Sequence, residues 1–516
     1  FSMTRGGVSK ASRGINLSED IYAGFNHLLR GATIPYIEYV QVGKGRDVGM
    51  QQIYKFEAKL ASGNAEQCLS RDVYRIGQRL DFTRLLSFYY SGPGFYFNNA
   101  CTVFAMFVFL YLQLWTHILQ LDAGVPAADL LNAQWVLQLG LLLTVPILCY
   151  LAVEHGITHS LTKFLETLIT GSPFFFMFHM GTKAYYFDST LKYGGAKYRP
   201  TGRGFVMRHE DFAELYRFYA SSHLYNGFEL LWGLLLLCTL GDWGWGGGDD
   251  PAEKYQKQYP GGIGTYWRTA WSLWTVMVAW LFSPFWFNPL AFDVGKLKED
   301  LARWRLWMQR KDADPMLSWE SWWREEHAFV ATSSWLKKLH MVLPSIRYGL
   351  VAVGILASAS GRPLHEGLLG EVSLFGAVVG GIAVAGVVIA SLSHLLRCHP
   401  ALLRVLTTLL LLLAVVAVPA ALAALSLFDW LLLAAAAGYL AAALVRLPYA
   451  AGALPTPCMY ASKAYDYLLG ALLLALCFVL SYTPGVKALQ NRALLSNEFD
   501  QRVKYNELQR LLEVGR

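Results

Sequence analysis

Charge is what this chain has least of. Only 16% of its 516 residues are Asp, Glu, Lys or Arg, against roughly 25% in a soluble domain, which argues against one water-soluble globule. A cysteine framework is also missing. Cys68, Cys101, Cys149, Cys238, Cys398, Cys458 and Cys477 form no C-x-x-C pair and mostly lie in apolar runs. They read as small hydrophobes, which excludes a disulfide scaffold and a zinc site. No signal-peptide pattern opens the chain. Phe1-Ser2-Met3-Thr4-Arg5 reads like the interior of a domain, so the chain is expected to be the C-terminal part of a longer protein.

Apolar residues are abundant instead, at 54% hydrophobic and 14% aromatic. They come in blocks of about 20 residues, the length that crosses a bilayer. Residues 100–121 and 372–392 contain no Lys, Arg, Asp or Glu. Spans are expected near 100–121, 135–153, 166–182, 225–241, 265–287, 346–361, 371–392, 402–426, 428–446 and 466–483. The net charge of +7 then reflects cytoplasmic loops facing anionic lipid and an anionic substrate, with no nucleic acid implied.

These runs divide the chain. Residues 1–98 are polar and read as cytoplasmic; 99–290 form an aromatic-rich membrane region with a basic loop at 183–213. Residues 291–345 form a charged, Trp-rich loop, 346–483 an Ala/Leu-rich bundle in which small residues let helices approach closely, and 484–516 a polar helical tail. The run 166–182 is ambiguous, because it carries Glu166, Gly171, Pro173 and His179 and leads into the basic loop. The positive-inside rule puts that loop in the cytoplasm, whereas counting spans from a cytoplasmic start puts it outside. The segment is therefore re-entrant or an earlier span is miscounted.

In the polar part, Ser18 precedes an apolar helical pattern as an N-cap. Tyr36 to Val42 suggests a short strand, and Gly43 to Asp47 a turn. A helix from Met50 to Leu60 is expected to break at Ser62-Gly63-Asn64. A second helix, about 65–79, would put Leu69, Val73, Ile76 and Leu80 on one stripe and Gln67, Arg71, Arg75 and Arg79 on another. A basic amphipathic helix before the first span suits a membrane surface.

Glu19 and Asp20 either stabilise a helix N-terminus through its dipole or supply a general base. Lys44 and Arg46 sit on a two-glycine turn that would suit a phosphate, a weak signal alone. Lys59 is either a solvated face or a cation for an anionic ligand. Gln67, Arg71 and Arg75 suit either a diphosphate or phospholipid headgroups. Tyr89, Tyr90, Phe95 and Tyr96 lie in an aromatic run before the first span. Interfacial aromatics are ordinary there, and aromatic faces also stack on sugar rings.

Taken together, RGGVSKASRGINLSEDIYAG (5–24), EYVQVGKGRDVG (38–49), IYKFEAKLASGNAEQCLSRDVYRIG (53–77), LSFYYSGPGFYFNN (86–99), GGAKYRPTGRGF (194–205) and SWESWWREE (318–326) resemble the (1,3)-β-D-glucan synthases. That family includes plant callose synthases, the closer likeness, and fungal cell-wall glucan synthases. The resemblance is weakest over 347–446. It implies a multi-span α-helical membrane protein preceded by the C-terminal part of a GT-A-like α/β glycosyltransferase domain with interfacial helices. The implied activity is processive, inverting synthesis of β-1,3-glucan from UDP-glucose, with export through a channel in the plasma membrane. Asp20 would be the base and Glu19 its neighbour or substitute, with Lys59, Gln67, Arg71, Lys44 and Arg46 around the substrates. Tyr89, Tyr90, Phe95 and Tyr96 would line the acceptor path. A hydrated Mg²⁺ would accompany UDP, and a small GTPase is a further implied partner.

One departure counts against a complete enzyme. Residues 1–98 hold no Asp-x-Asp pair, so the metal ligands are expected before Phe1 and the chain alone is expected to be inactive. A transporter without chemistry, a synthase of another polymer such as cellulose, chitin or hyaluronan, and a catalytically dead scaffold are the alternatives. The clustered Ser-Glu-Asp, Lys-Gly-Arg-Asp and Glu-Gln-Cys-Leu-Ser-Arg-Asp elements argue against the transporter.

Overall fold

The computed structural model describes residues 24, 27–35, 49–118, 145–169, 171–193, 208–242, 271–310, 313–332, 347–348, 350–351, 439 and 455–494. Among them the chain is almost wholly helical, and no strand occurs. The strand and turn expected over 36–47 lie outside the described residues, as do the runs 371–392 and 402–426 and most of 346–361 and 428–446.

The polar part begins with α1 (Met50–Cys68), α2 (Arg71–Gly77) and α3 (Phe82–Ser91). The break expected at Ser62-Gly63-Asn64 is absent, because α1 runs through it and ends at Leu69-Ser70. Two features carry the helix across. Asn64 donates its Nδ2 to the Leu60 carbonyl at 2.9 Å, which removes its competition with the backbone. Ala58, Ala61, Ser62, Gly63 and Ala65 are buried, so small residues serve here as a close-packing seam and not as a terminator. The stripe expected over 65–79 is thereby divided. Ile76 is buried against Leu29, Val73, Leu80, Leu85 and Phe88, while Leu69 is exposed at the end of α1.

Pro93 opens α4 (Pro93–Ile118), where its missing N–H and fixed φ cost nothing. α5 (Val145–His155), α6 (Ile157–Ile169) and α7 (Ser172–Tyr193) follow. Gly156 and Gly171 separate these three helices with φ of 88° and 82°, a left-handed backbone that favours glycine. The run 166–182 is therefore not one continuous helix. It is split at Gly171, and α7 continues to Tyr193, taking Lys183 and Lys192 out of the expected basic loop.

α8 (Phe212–Tyr219) passes through a π-turn (Ala220–Leu224) into α9 (Tyr225–Asp242), and α10 (Trp271–Trp286) follows. Residues 291–345 contain α11 (Val294–Gln309) and α12 (Trp319–Thr332). Asp293 caps α11, its side chain accepting from Gly295 N and Lys296 N at 3.0 and 3.3 Å. The last elements are α13 (Pro455–Tyr482) and α14 (Val486–Leu494).

The core lies between α4, α7, α9, α10 and the helices α8, α11 and α12. Trp280, Trp304 and Trp319 are its largest fully buried side chains. By length and composition, two described helices could cross a membrane, Pro93–Trp115 with 23 residues and Ser462–Tyr482 with 21. Phe104, Val108 and Leu112 on α4, and Leu468, Leu472 and Leu476 on α13, form exposed apolar stripes at helical spacing. Such stripes are expected of surfaces that meet lipid.

Candidate functional site

Helix α1 is the element through which the sequence-predicted site enters the described structure. Its small-residue seam lies on α7 and gives little resistance to sliding. Tyr54, fully buried, fixes the register. Its hydroxyl is 2.8 Å from both Tyr186 Oη and Ser222 Oγ. Ser222 Oγ is in turn 2.8 Å from His223 Nδ1, and His223 Nε2 is 2.8 Å from the Phe178 carbonyl. The π-turn places Ser222 and His223 for this chain, a use typical of such turns.

Charge reinforces the dock. Lys183 of α7 lies 3.7 Å from Glu57 of α1 and 5.1 Å from the Phe95 ring centroid on α4. Lys55 sits 5.0 Å from the Phe218 ring centroid. One lysine on α7 thus joins α1 to the start of the first apolar helix.

Lys59 is half-buried on α1. Gln67 is buried near the end of α1, and Glu66 beside it is 8% exposed. Arg71 opens the next helix, α2, so Gln67 and Arg71 do not share the helix expected for them. Tyr89 and Tyr90 are exposed at the end of α3, their ring centroids 5.3 Å apart. Gly94 makes the sharp passage into α4 possible, since a Cβ there would lie 2.5 Å from the Tyr89 ring. Just beyond it, Phe95 is exposed, whereas Tyr96 is buried and stacks on Phe187 at 6.3 Å. Of the four aromatics, Tyr96 is therefore part of the packing, and Tyr89, Tyr90 and Phe95 offer open faces. Glu19, Asp20, Lys44 and Arg46 lie outside the described residues.

A second polar cluster was not foreseen from sequence. Asn288 accepts from Glu210 N and donates to Glu210 O, both at 2.9 Å. His209 Nδ1 is 2.6 Å from the Pro289 carbonyl, and its Nε2 is 3.3 Å from Asp300 Oδ1. Burial opposes charge on His209, but the Asp300 and Pro289 hydrogen bonds outweigh it and raise its pKa. Burial and the neighbouring Glu214 push the Glu210 carboxyl up to about 7.

Ligand atoms of His209, Asp211 and Asp300 lie within 4.8 Å of one another. They do not fit a diphosphate-bound Mg²⁺. Asp211 is engaged by Arg303, His209 is committed to Pro289 and Asp300, and Mg²⁺ prefers an octahedron of oxygens. The cluster instead docks α11 against the start of α8.

Two carboxylates sit deeper. Glu229 on α9 is held by Tyr111 Oη at 2.7 Å, by Arg347 at 2.9 Å and by Tyr348. Asp466 on α13 accepts from Tyr216 Oη, Tyr225 Oη and Trp319 Nε1 at 2.9, 2.8 and 2.9 Å. Charges within apolar segments are costly and pair with partners, and each of these has found them.

Comparison with known proteins matches these elements to a family. A family profile described as "1,3-beta-glucan synthase component" matches residues 1–346. Callose synthase 5 of Arabidopsis thaliana is 41% identical over 371 residues, 69% of this chain and 18% of the relative. Callose synthase 7 of the same plant is 42% identical over 370 residues, again 69% and 18%. The chain thus spans about a fifth of the length of these relatives. No solved structure matches. The matched stretch includes every site residue named above up to Tyr96, together with the α7–α12 scaffold, and the chain belongs to the 1,3-beta-glucan synthase family.

Proposed function

We propose that this chain is the membrane-side part of a processive, inverting 1,3-β-glucan synthase that takes UDP-glucose and exports its product across the plasma membrane. The observation that carries the reading is the placement of α1. Glu57 on this helix, which also bears Lys59 and Gln67, pairs with Lys183 of α7, and Lys183 in turn meets Phe95 at the start of the membrane-length helix α4. A polar helix docked at the head of an apolar one suits an enzyme that works at the membrane and passes its product through it.

In this reading Asp20, with Glu19 beside it, removes the proton from the 3-hydroxyl at the end of the growing glucan. The freed oxygen bonds to the anomeric carbon as the carbon–oxygen bond to UDP breaks, so the configuration inverts. Lys59, Arg71, Lys44 and Arg46 supply positive charge to the departing diphosphate. Tyr89, Tyr90 and Phe95 offer faces to the sugar rings. Mg²⁺ is expected with UDP. The described residues do not fit it, and no step here passes through it. The α/β character of the domain over 1–98, the multi-span arrangement, contact with membrane lipids and control by a small GTPase belong to the same proposal.

The test is UDP-glucose incorporation by the full-length protein in lipid. Asp20→Asn should abolish synthesis, and Lys59→Ala should raise KM for UDP-glucose. The polymer should be digested by an endo-1,3-β-glucanase. A resistant polymer refutes the product assignment, and full synthesis by both variants refutes the residue roles.

A further inference from the structure

Among the acids of the helical core, Glu66 stands apart. Glu57 has Lys183, Glu229 has Arg347, Glu320 has Lys463, and Asp300 has His209. Asp466 has three neutral donors. Glu66 is 8% exposed, yet its Oε2 is buried without a hydrogen-bond partner among the described residues. Burial pushes its carboxyl pKa up, and no opposing cation offsets that shift. A lone buried carboxylate is a destabilising feature, and an unsatisfied buried acceptor in a native fold marks a place that something else completes.

Its position says what completes it. Lys59, Gly63, Glu66 and Ser70 fall at i, i+4, i+7 and i+11, one face of α1 and its C-terminal end. Gln67 is the next residue, buried to 2% exposure. A carboxylate with a lysine two turns away on the same helix face is an acceptor and donor set for a polyhydroxylated ligand. A divalent cation fits poorly, because a single carboxylate lacks the further oxygens that it requires.

We propose that Glu66 is a sugar-contacting residue whose carboxylate accepts hydrogen bonds from hexose hydroxyls held against α1. The assignment rests on the synthase reading above. The hydroxyls belong either to the glucosyl unit of the donor or to the end of the growing chain.

The test uses the full-length protein in nanodiscs. Glu66→Gln keeps the shape and replaces the charge, while Glu66→Leu removes both hydrogen-bond acceptors. Loss of a charge-assisted hydrogen bond predicts about a tenfold fall in synthesis rate for Glu66→Gln and a larger one for Glu66→Leu. Both variants should melt at or above the wild-type temperature, because the unpaired acid is gone. If the donor sugar is bound, KM for UDP-glucose rises while inhibition by UDP, which lacks the sugar, is unchanged. If the chain end is bound, that KM holds and stimulation by short 1,3-β-glucan primers falls. Either result supports the assignment.

Wild-type kinetics in both variants overturn it. So does lost activity with a lowered melting temperature in both, which would mark a structural role, or an equal loss of UDP inhibition. A wild-type protein that makes no 1,3-β-glucan overturns the functional reading itself. Wild-type synthesis that is insensitive to Glu66 overturns only this assignment.

Discussion

Removing the charge of Arg347 should destabilise the protein far more than removing that of Glu229. The Glu229 side chain is 1% exposed, whereas Arg347 is 33% exposed. The guanidinium lies 2.9 Å from the carboxylate and 5.3, 5.6 and 5.1 Å from the ring centroids of Phe107, Tyr111 and Tyr348. Arg347→Met leaves a buried carboxylate with only tyrosine donors, a loss of about 3–5 kcal/mol by the usual cost of breaking a buried pair. Glu229→Gln leaves Arg347 its Tyr348 hydroxyl and its ring contacts, so about 1–2 kcal/mol is expected, the scale of a lost hydrogen bond to a charged group. The double variant should recover about 2 kcal/mol or more relative to the sum of the singles, since no charge is then stranded. Detergent-mediated unfolding followed by tryptophan fluorescence provides the cycle. Additive losses refute the reasoning, as does an Arg347→Met variant within about 0.5 kcal/mol of wild type, the error of such cycles.

Two further predictions follow from packing and titration. A Cβ on Gly470 would lie 2.3 Å from Trp304, whose ring is fully buried and has nowhere to turn. Gly470→Ala should therefore cost about 1–3 kcal/mol, as overpacking does, and a wild-type melting temperature would refute it. Stability should also fall as pH rises. Glu210 is neutral in both states at low pH. Between its ordinary value of 4.5 and its folded value of about 7, the unfolded chain releases the proton first, which favours unfolding. His209, raised by Asp300 and Pro289, adds stability below its ordinary range that is lost as pH passes its folded value. Melting curves from pH 5 to 8 should slope downward, and Glu210→Gln should flatten the slope between about 4.5 and 7. An unchanged slope in that variant would refute the assignment to Glu210.

The legible parts of the sequence were those with one dominant local signal. The apolar run at 100–121 is answered by α4 and that at 466–483 by α13, because a long uncharged run has few alternatives to a helix. Ser62-Gly63-Asn64 misled for a physical reason. Small residues weaken an isolated helix but allow a docked one to approach its partner, and the sequence alone does not say that α7 is there. The split of 166–182 could have been read from Gly171 followed two residues later by Pro173, a common helix stop and start. Long-range polar partners had no such signal. Nothing near Glu210 announces Asn288, and nothing near Glu66 announces that it has no partner. His209 and Asp300 are 91 positions apart, beyond the reach of any local pattern.

The Trp-rich stretch shows how such partners join polar and apolar helices. Four attachments run along α13 and α14 towards α11 and α12 or their flanks. Lys463 pairs with Glu320 at 3.0 Å, Asp466 accepts from Trp319, Gly470 gives Trp304 its space, and Lys487 pairs with Asp293 at 2.6 Å. Gln490 adds bonds to the carbonyls of Phe285, Trp286 and Asn288 where α10 ends. Asp466 also accepts from Tyr216 on α8 and Tyr225 on α9. One carboxylate on an apolar helix thus ties the end of the π-turn to the Trp-rich helix. The π-turn in turn holds Tyr54 and, with it, the register of α1. A shift of α13 would therefore reach the helix that bears Lys59, Glu66 and Gln67 through directional hydrogen bonds and not through a fluid apolar contact. That makes the C-terminal helices part of the apparatus that positions the proposed site, even though the family profile ends at residue 346.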